Sequence, residues 1–500
     1  MELVHNLVLG FATALSLSNL FYCFVGALLG TLIGVLPGIG APATIAMLLP
    51  ITFTMEPSSA LIMLAGIFYG AQYGGSTTAI LVNLPGESSS VVTAIDGYQM
   101  ARKGRAGPAL AVAAIGSFVA GSVSTLLIAL FAPPLTLIAL KFGPAEYASL
   151  ILLGLIISVA LAHGSVIKAL AMIALGLLLG TIGTDIYTGT ERFSFGLLEL
   201  ADGIDMIPLA VGLFGIAEML RNLEDESTRD VWVQKVSGLM PSREEARRSV
   251  GPVLRGTALG SLLGVLPGGG AMLSSFASYA FEKKLSRHPE EFGRGAIEAV
   301  AGPESANNAG AQTSFIPMLT LGIPSNPVMA LMIGAMIIQG LVPGPNIAKD
   351  QPELFWGLIA SMWIGNFILV LLNLPLIGLW IRMLAIPYYL LFPAIVAFSM
   401  IGAYTVDNNV FDLYFITLFG LLGYLLYKLE CEPAPLLLGF ILGPMLEEHL
   451  RRAMVSSRGS LMIFIERPIS AALLLLAALA LILLMLPAIT SKREAVFVEE

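Results

Sequence analysis

Charge is what this 500-residue chain has least of. Asp, Glu, Lys and Arg make up 12% of it, 56% is apolar, and mean hydropathy is +0.85. A soluble domain carries about twice that share of charge. So few charges cannot cover so much apolar surface in water. A soluble enzyme, a disordered protein and a nucleic-acid binder are therefore excluded, and the chain reads as a polytopic helical membrane protein. Cysteine is nearly absent as well. Cys23 and Cys431 sit in or beside apolar runs; they allow no disulfide framework or zinc cluster and read as packing residues. The four histidines are scattered, and GxxxxGK[ST], HExxH and GxSxG are all missing, so neither an ATPase nor another enzyme is expected. Met1 to Leu7 holds no Lys or Arg and no small-residue cleavage site, so a cleaved signal peptide is not expected. The net charge of −8 does not set orientation, which follows the placement of Lys and Arg.

What is present is a series of apolar runs. At about 20 residues per span, the length allows roughly ten to twelve crossings. Several runs are too short to cross alone and cluster at Gly/Pro/Ser/Thr-rich breaks, the pattern of re-entrant hairpins or broken helices. The chain also repeats itself. Gly26–Gly40 reads GALLGTLIGVLPGIG and Gly256–Gly270 reads GTALGSLLGVLPGGG, with ten of fifteen positions identical at an offset of 230. YGGSTT (Tyr73–Thr78) before Leu84–Gly86 is echoed by NAGAQTS (Asn308–Ser314) before Ile323–Ser325, and AIGSF (Ala114–Phe118) by WIGNF (Trp363–Phe367). The echoes keep their order. They divide the chain into a first transmembrane repeat over 1–220, a charged cytoplasmic linker over 221–255, a second repeat with a C-terminal span over 256–486, and a tail over 487–500.

Equivalent loops differ in charge. Thr52–Ser58 has no Lys or Arg, whereas its counterpart carries Lys283, Lys284, Arg287 and Arg294. Arg102, Lys103 and Arg105 are matched only by Lys349. By the positive-inside rule the two halves then lie in opposite orientations, as inverted-topology repeats do. Arg451, Arg452 and Arg458 strain this scheme, falling on the outer side or marking a further re-entrant segment.

Gly26, Gly30 and Gly34, and again Gly256, Gly260 and Gly264, recur every four residues and give each helix a face for close packing in lipid. The LPG that follows each is different. Pro37 and Pro267 remove a backbone donor and the next glycines permit unwinding, which at membrane depth must line protein or a cavity. Gly38-Ile39-Gly40-Ala41-Pro42-Ala43 matches a GxGxxA string, but without a βαβ unit a dinucleotide site is rejected. The second constellation is Gly74, Gly75, Ser76, Thr77 and Thr78, then Asn83, Pro85, Gly86, Glu87 and Ser88. Its counterpart is Asn307, Asn308, Gln312, Thr313 and Ser314, then Pro324, Ser325 and Asn326. Half-helix N-termini suit a carboxylate, and unwound carbonyls and hydroxyls suit Na⁺. The candidates for an anionic substrate are Gly38, Gly40, Gly75, Ser76, Thr77, Thr78, Gly268, Gly270, Gln312, Thr313 and Ser314. Those for a co-bound cation are Asn83, Pro85, Glu87, Asn307, Asn308, Pro324 and Asn326. Among acidic residues near the membrane (Glu87, Glu304, Asp202, Asp205 and Asp407) Glu87 and Glu304 rank first, since they flank the polar clusters. His163 reads as interfacial. No Arg falls inside either cluster.

Four blocks, GTLIGVLPGIGAPATIAMLLP, YGAQYGGSTTAILVNLPGESSSVVTAIDGYQMARKGRAGPAL, GPESANNAGAQTSFIPMLTLGIPSNP and APLLLGFILGPMLEEHLRRAM, resemble the large membrane subunit of tripartite tricarboxylate transporters (TctA type) over nearly the whole chain. The family blocks fall at Pro37–Gly40, Gly74–Thr78, Asn83–Glu87, Pro267–Gly270, Asn307–Asn308 and Pro324–Asn326. Ser325 departs from a more usual Gly. The resemblance implies a multi-pass protein of the bacterial inner membrane that works with a small four-span membrane subunit and a periplasmic substrate-binding protein. It implies uptake of citrate or another organic acid, driven by Na⁺ or H⁺, with no further cofactor. The expected fold is all-α, with two inverted repeats of broken helices and an elevator-like movement. A channel, or a stand-alone carrier needing no binding protein, is the other reading.

Overall fold

The computed structural model describes residues 2–36, 40–161, 165–185, 187–224, 238–266, 270–383 and 388–485. It is almost wholly helical. The described strands are one two-residue pair, Gly183–Thr184 antiparallel to Glu191–Arg192. Four described helices are long and apolar enough to cross a membrane: Leu17–Val35, Ala106–Ala139, Pro352–Asn373 and Val410–Lys428. Other apolar helices, such as Ala41–Thr52 and Pro327–Ile338, are shorter.

Two helices form the centre. Pro57–Val82 and Glu298–Thr313 are buried along nearly their whole lengths, although both carry Gly, Ser, Thr and amides. Each lies on one of the glycine-spaced helices. A Cβ on Gly26, Gly30 or Gly34 would run into the backbone of Met63, Ile67 or Ala71 in Pro57–Val82. A Cβ on Gly256, Gly260 or Gly264 of Arg243–Gly264 would meet Gly302, Ala306 or Gly310. In both seams the absent side chains bring two backbones to van der Waals distance, the contact that replaces hydrophobic driving force between helices in lipid. The Ala106–Ala139 helix packs on Glu298–Thr313, and Asn308 Nδ2 donates to Ser117 Oγ at 2.7 Å across that contact.

The polar clusters sit differently from expectation. Gly74–Thr78 lies inside an unbroken helix, and so does Asn307–Thr313. Neither is at a half-helix N-terminus. The hydroxyls bond their own helix: Ser76 to the Gln72 carbonyl, Thr77 to Tyr73, Thr313 to Ala309 and Ser314 to Gly310. A hydroxyl satisfied one turn back leaves the helix intact. The chain breaks later, at 83–87 and at 322–326, where Asn83 (φ 57°) and Gly322 (φ 69°) adopt the left-handed conformation that ends a helix.

The Arg451 region is anchored by ion pairs. Arg451 pairs with Asp185 at 2.8 Å and with Glu447 at 2.7 Å, tying the short strand pair to the Pro433–Ser456 helix.

Candidate functional site

Four chain segments meet around one cavity of about 370 Å³. Pro42 opens the helix after the first glycine-rich tip, and Gly270 and Ala271 open the helix after the second. Glu87, Ser88 and Ser89 come from the break after Pro57–Val82, and Asn326, Pro327 and Val328 from the break after Phe315–Leu321. Local chemistry fixes each tip. The Glu87 carboxylate accepts the Ala41 N–H at 2.8 Å, at a helix start where the dipole favours negative charge. Asn326 Oδ1 accepts the Met329 N–H at 2.9 Å and so caps Pro327–Ile338. Ser325 donates to the Ser314 carbonyl at 3.3 Å, fixing the second break to its parent helix.

The remaining wall carries charge. Glu218 and Arg221 project from the short Ala217–Glu224 helix, and Glu432 from the start of Pro433–Ser456. Three carboxylates (with Glu87) thus face one guanidinium. Arg221 stacks 4.1 Å over the Tyr427 ring and makes no ion pair among the described residues. A guanidinium held by a ring, with no hydrogen bond among the described residues, is a ready anchor for a carboxylate. Gln72 also lines the cavity and accepts a hydrogen bond from Ser89 at 2.7 Å.

Behind this cavity, Glu304 is fully buried. Ser76 Oγ is 2.5 Å from its Oε2, and Thr93 donates to its Oε1. A cavity of about 10 Å³ lies beside it, bordered by Tyr73, Ser76, Thr77, Ser117 and Asn373. Several amides nearby in sequence are buried without partners among the described residues: both polar atoms of Asn307, both of Gln312, and Asn308 Oδ1.

The model of the tripartite tricarboxylate transporter TctA family matches residues 20–438. The chain belongs to the TctA family. It is 67% identical, over the full length of both chains, to an uncharacterized 52.8 kDa protein in the TAR-I ttuC′ 3′ region of Agrobacterium vitis. It is also 66% identical over 241 residues, 48% of this chain and all of the relative, to an uncharacterized protein in the TAR-II ttuC′ 3′ region of the same organism. No solved structure matches it. Membership in a transporter family, together with helices able to cross a bilayer, makes the chain a multi-pass membrane subunit of a tripartite system.

In this TctA-family chain the residues singled out by sequence divide into three groups. Gly270, Glu87 and Asn326 line the large cavity, Pro85 and Asn83 are exposed beside it in the first break, and Pro324 is buried in the second. Gly40 caps Ala41–Thr52, and Gly75 lets the Glu87 backbone approach, since a Cβ there would lie 3.0 Å from the Glu87 nitrogen. Ser76 and Thr77 face the small cavity, whereas Thr78, Thr313 and Ser314 are spent on their own helices. Asn307, Asn308 and Gln312 are buried in Glu298–Thr313. Asp202 and Asp205 are exposed. Pro37, Gly38, Pro267, Gly268, His163, the Asp407 side chain and the 487–500 tail lie outside the described residues, as does the middle of the linker.

Sequence reasoning missed Glu218, Arg221 and Gln72. Arg221 stood at the start of the supposed linker. The amphipathic run Ala217–Glu224, with Glu218 and Arg221 three residues apart and therefore on one face, was the available signal.

Proposed function

We propose that this chain is the large transport subunit of a binding-protein-dependent secondary transporter that imports a tricarboxylate or related organic acid across the bacterial inner membrane with Na⁺ or H⁺. The observation carrying this reading is the meeting of four helix tips and Arg221 on one cavity. The substrate carboxylates would take Arg221, the Asn326 amide and backbone donors at the tips. The walls then demand cations. Glu87 and Glu218 beside one guanidinium repel an anion unless the carboxylates are neutralised. The membrane adds to this: each charge moved against 100 mV costs about 2.3 kcal/mol, so a di- or trianion entering a negative-inside cell needs as many cations or more.

The two glycine seams support the further reading that the halves are inverted repeats, each moving as a rigid pair of helices in an elevator-like step. The small membrane subunit would supply scaffold, and the periplasmic binding protein would supply substrate.

The test is uptake of labelled citrate and a panel of smaller carboxylates into proteoliposomes holding this chain and its small partner, with and without the binding protein, and with and without inward Na⁺ or pH gradients. Uptake that needs both is expected. Uptake indifferent to both makes the chain a channel or stand-alone carrier.

A further inference from the structure

The geometry points to Glu304 as a proton-binding site, held as a neutral carboxyl in one state of the transport cycle and emptied in another. This deepens the proposed function, and its coupling role rests on that reading. Glu304 is fully buried, and among the described residues no Lys or Arg pairs with it. An ionised carboxylate in such a place is unfavourable without a counter-charge.

Hydrogen counting accommodates the protonated form. Ser76 Oγ lies 2.8 Å from the Gln72 carbonyl and 2.5 Å from Glu304 Oε2. The carbonyl can only accept, and a serine has one hydroxyl hydrogen. If that hydrogen goes to Gln72, the second contact is a hydrogen bond only when Oε2 carries a proton and donates to Ser76. Thr93 supplies a donor to Oε1. A neutral Glu304 then completes a chain in which every polar atom is used: Thr93 to Glu304, Glu304 to Ser76, Ser76 to Gln72. On losing the proton, Ser76 must turn its hydrogen to the carboxylate. The adjoining cavity, about 10 Å³, approaches the space one water needs, and Asn373 Oδ1 in its wall has no partner among the described residues. It offers a step for the proton to leave.

The surrounding groups set the field at Glu304. From Pro57–Val82 the titratable neighbour is Tyr73; from Val91–Arg102 it is Asp96, committed to backbone N–H groups and Tyr279. Ala106–Ala139 has no charged residue. The nearer cation of Arg243–Gly264, Arg255, is paired with Glu282 of Gly270–Leu285, and Arg248 with Glu298 and Glu291. Glu87 precedes the Ser88–Ser90 turn. Among the described residues of these elements, no unpaired cation lies against Glu304 to hold it ionised.

The site is also wired to the large cavity. Ser88 and Ser89 line it, and the turn they form runs directly into the helix bearing Thr93. Gln72 lines the same cavity while its carbonyl faces Ser76. A substrate that shifts the 87–89 tip shifts Thr93 against Glu304.

Infrared spectroscopy of the purified full chain tests the proton without needing a substrate. At neutral pH a protonated-carboxyl band is expected in the native protein and lost in Glu304→Gln. Thr93→Val, which leaves the carboxyl in place, should move the same band, so the result stands even if Glu304→Gln folds poorly. A spectrum in which neither variant changes a carboxyl band overturns the proposal. So does a band abolished by added Na⁺ at constant pH, which would make this a sodium site. In proteoliposomes, Glu304→Gln should lose pH-driven accumulation of any acid the native chain carries yet keep exchange at equal concentrations. Retained pH-driven accumulation overturns the coupling. Absence of uptake by the native chain counts against the proposed function, while the infrared bands still decide whether Glu304 carries the proton.

Discussion

Asp96 offers the sharpest test of how the two halves are joined. It is fully buried on the Val91–Arg102 helix. Its Oδ1 accepts from the backbone N–H groups of Gly293, Gly295 and Ala296 at 2.9, 2.7 and 2.9 Å, and its Oδ2 from Tyr279 at 3.0 Å. Gly293 (φ +82°) and Gly295 (φ +99°) hold conformations that other residues reach only with strain, and these turn successive N–H groups inward around the carboxylate, as in a backbone anion nest. This turn leads into Glu298–Thr313. Asp96 therefore fixes that helix against the one carrying Thr93, one turn earlier on the same face.

Asp96→Ala would strand three backbone donors, of which the Ala296 N–H is buried and those of Gly293 and Gly295 are nearer the surface. A buried donor left unsatisfied costs about 1–3 kcal/mol and one that reaches water costs less, so a total loss of about 2–4 kcal/mol is expected. Asp96→Asn keeps one acceptor but loses the charge and brings an NH₂ against a donor, for a loss of about 1–3 kcal/mol. At about 2 °C per kcal/mol for a chain of more than 150 residues, the midpoint of heat-induced loss of the monodisperse detergent-solubilised peak should fall in the order native, Asn, Ala. An Ala variant as stable as the native chain would falsify the nest as a structural joint. Equal losses for Asn and Ala would show that its shape matters and its charge does not.

Three other outcomes are expected. Gly260→Leu should abolish recovery of folded protein, since even a Cβ there meets the Ala306 backbone; Gly378→Ala, with nothing within 4 Å, should be silent in the same yield assay. Arg221→Gln should raise the half-saturating substrate concentration roughly tenfold, the loss of about 1.4 kcal/mol of charge-assisted bonding, with maximal uptake less affected; an unchanged half-saturation removes Arg221 from the site. The Tyr187 backbone N–H and the Arg451 guanidinium hold Asp185 down at about 2. A lowered carboxylate stabilises above its ordinary range and ceases to as pH falls through its folded value. Hydrogen exchange over residues 183–192 should thus be faster in Asp185→Asn than in the native chain above the carboxylate range, and the two should converge near the bottom of it.

The class and the seams of this molecule were legible in its sequence because they rest on local periodicity. Four-residue glycine spacing at Gly26–Gly34 and Gly256–Gly264 specifies close helix contact whatever the partner, and the partners are the helices bearing the polar clusters. The tips were legible for a similar reason, since LPG and Asn/Gly breaks punctuate any helix. The clusters themselves misled. A serine at the end of a broken helix and a serine bonded one turn back in a continuous one look alike in sequence, and Ser76, Thr313 and Ser314 are of the second kind. Arg221 and Asp96 were illegible because their roles depend on distant segments: Tyr427 lies 206 positions beyond Arg221, and Gly293 lies 197 beyond Asp96.

For the organic-acid substrate proposed above, an acidic cavity is a contradiction only if the walls keep their charge. Glu87 is partly compensated by the helix start at Ala41, which neutralises a fraction of a charge at most, and Arg221 offsets one carboxylate. The remaining excess must be met by cations arriving with the substrate or by protons on the protein. Glu304 lies outside the cavity wall but is linked to it through Gln72 and the Ser88–Ser90 turn, so its protonation removes a charge from behind the site while leaving the pocket's donors free for the anion. On the proposed function, binding of proton and substrate would favour one another through the same wall, each weakening when the other leaves. Such mutual dependence is what tight symport requires. It also explains why a carboxyl would be kept where no side-chain cation accompanies it: a permanent ion pair there would fix the charge that has to change.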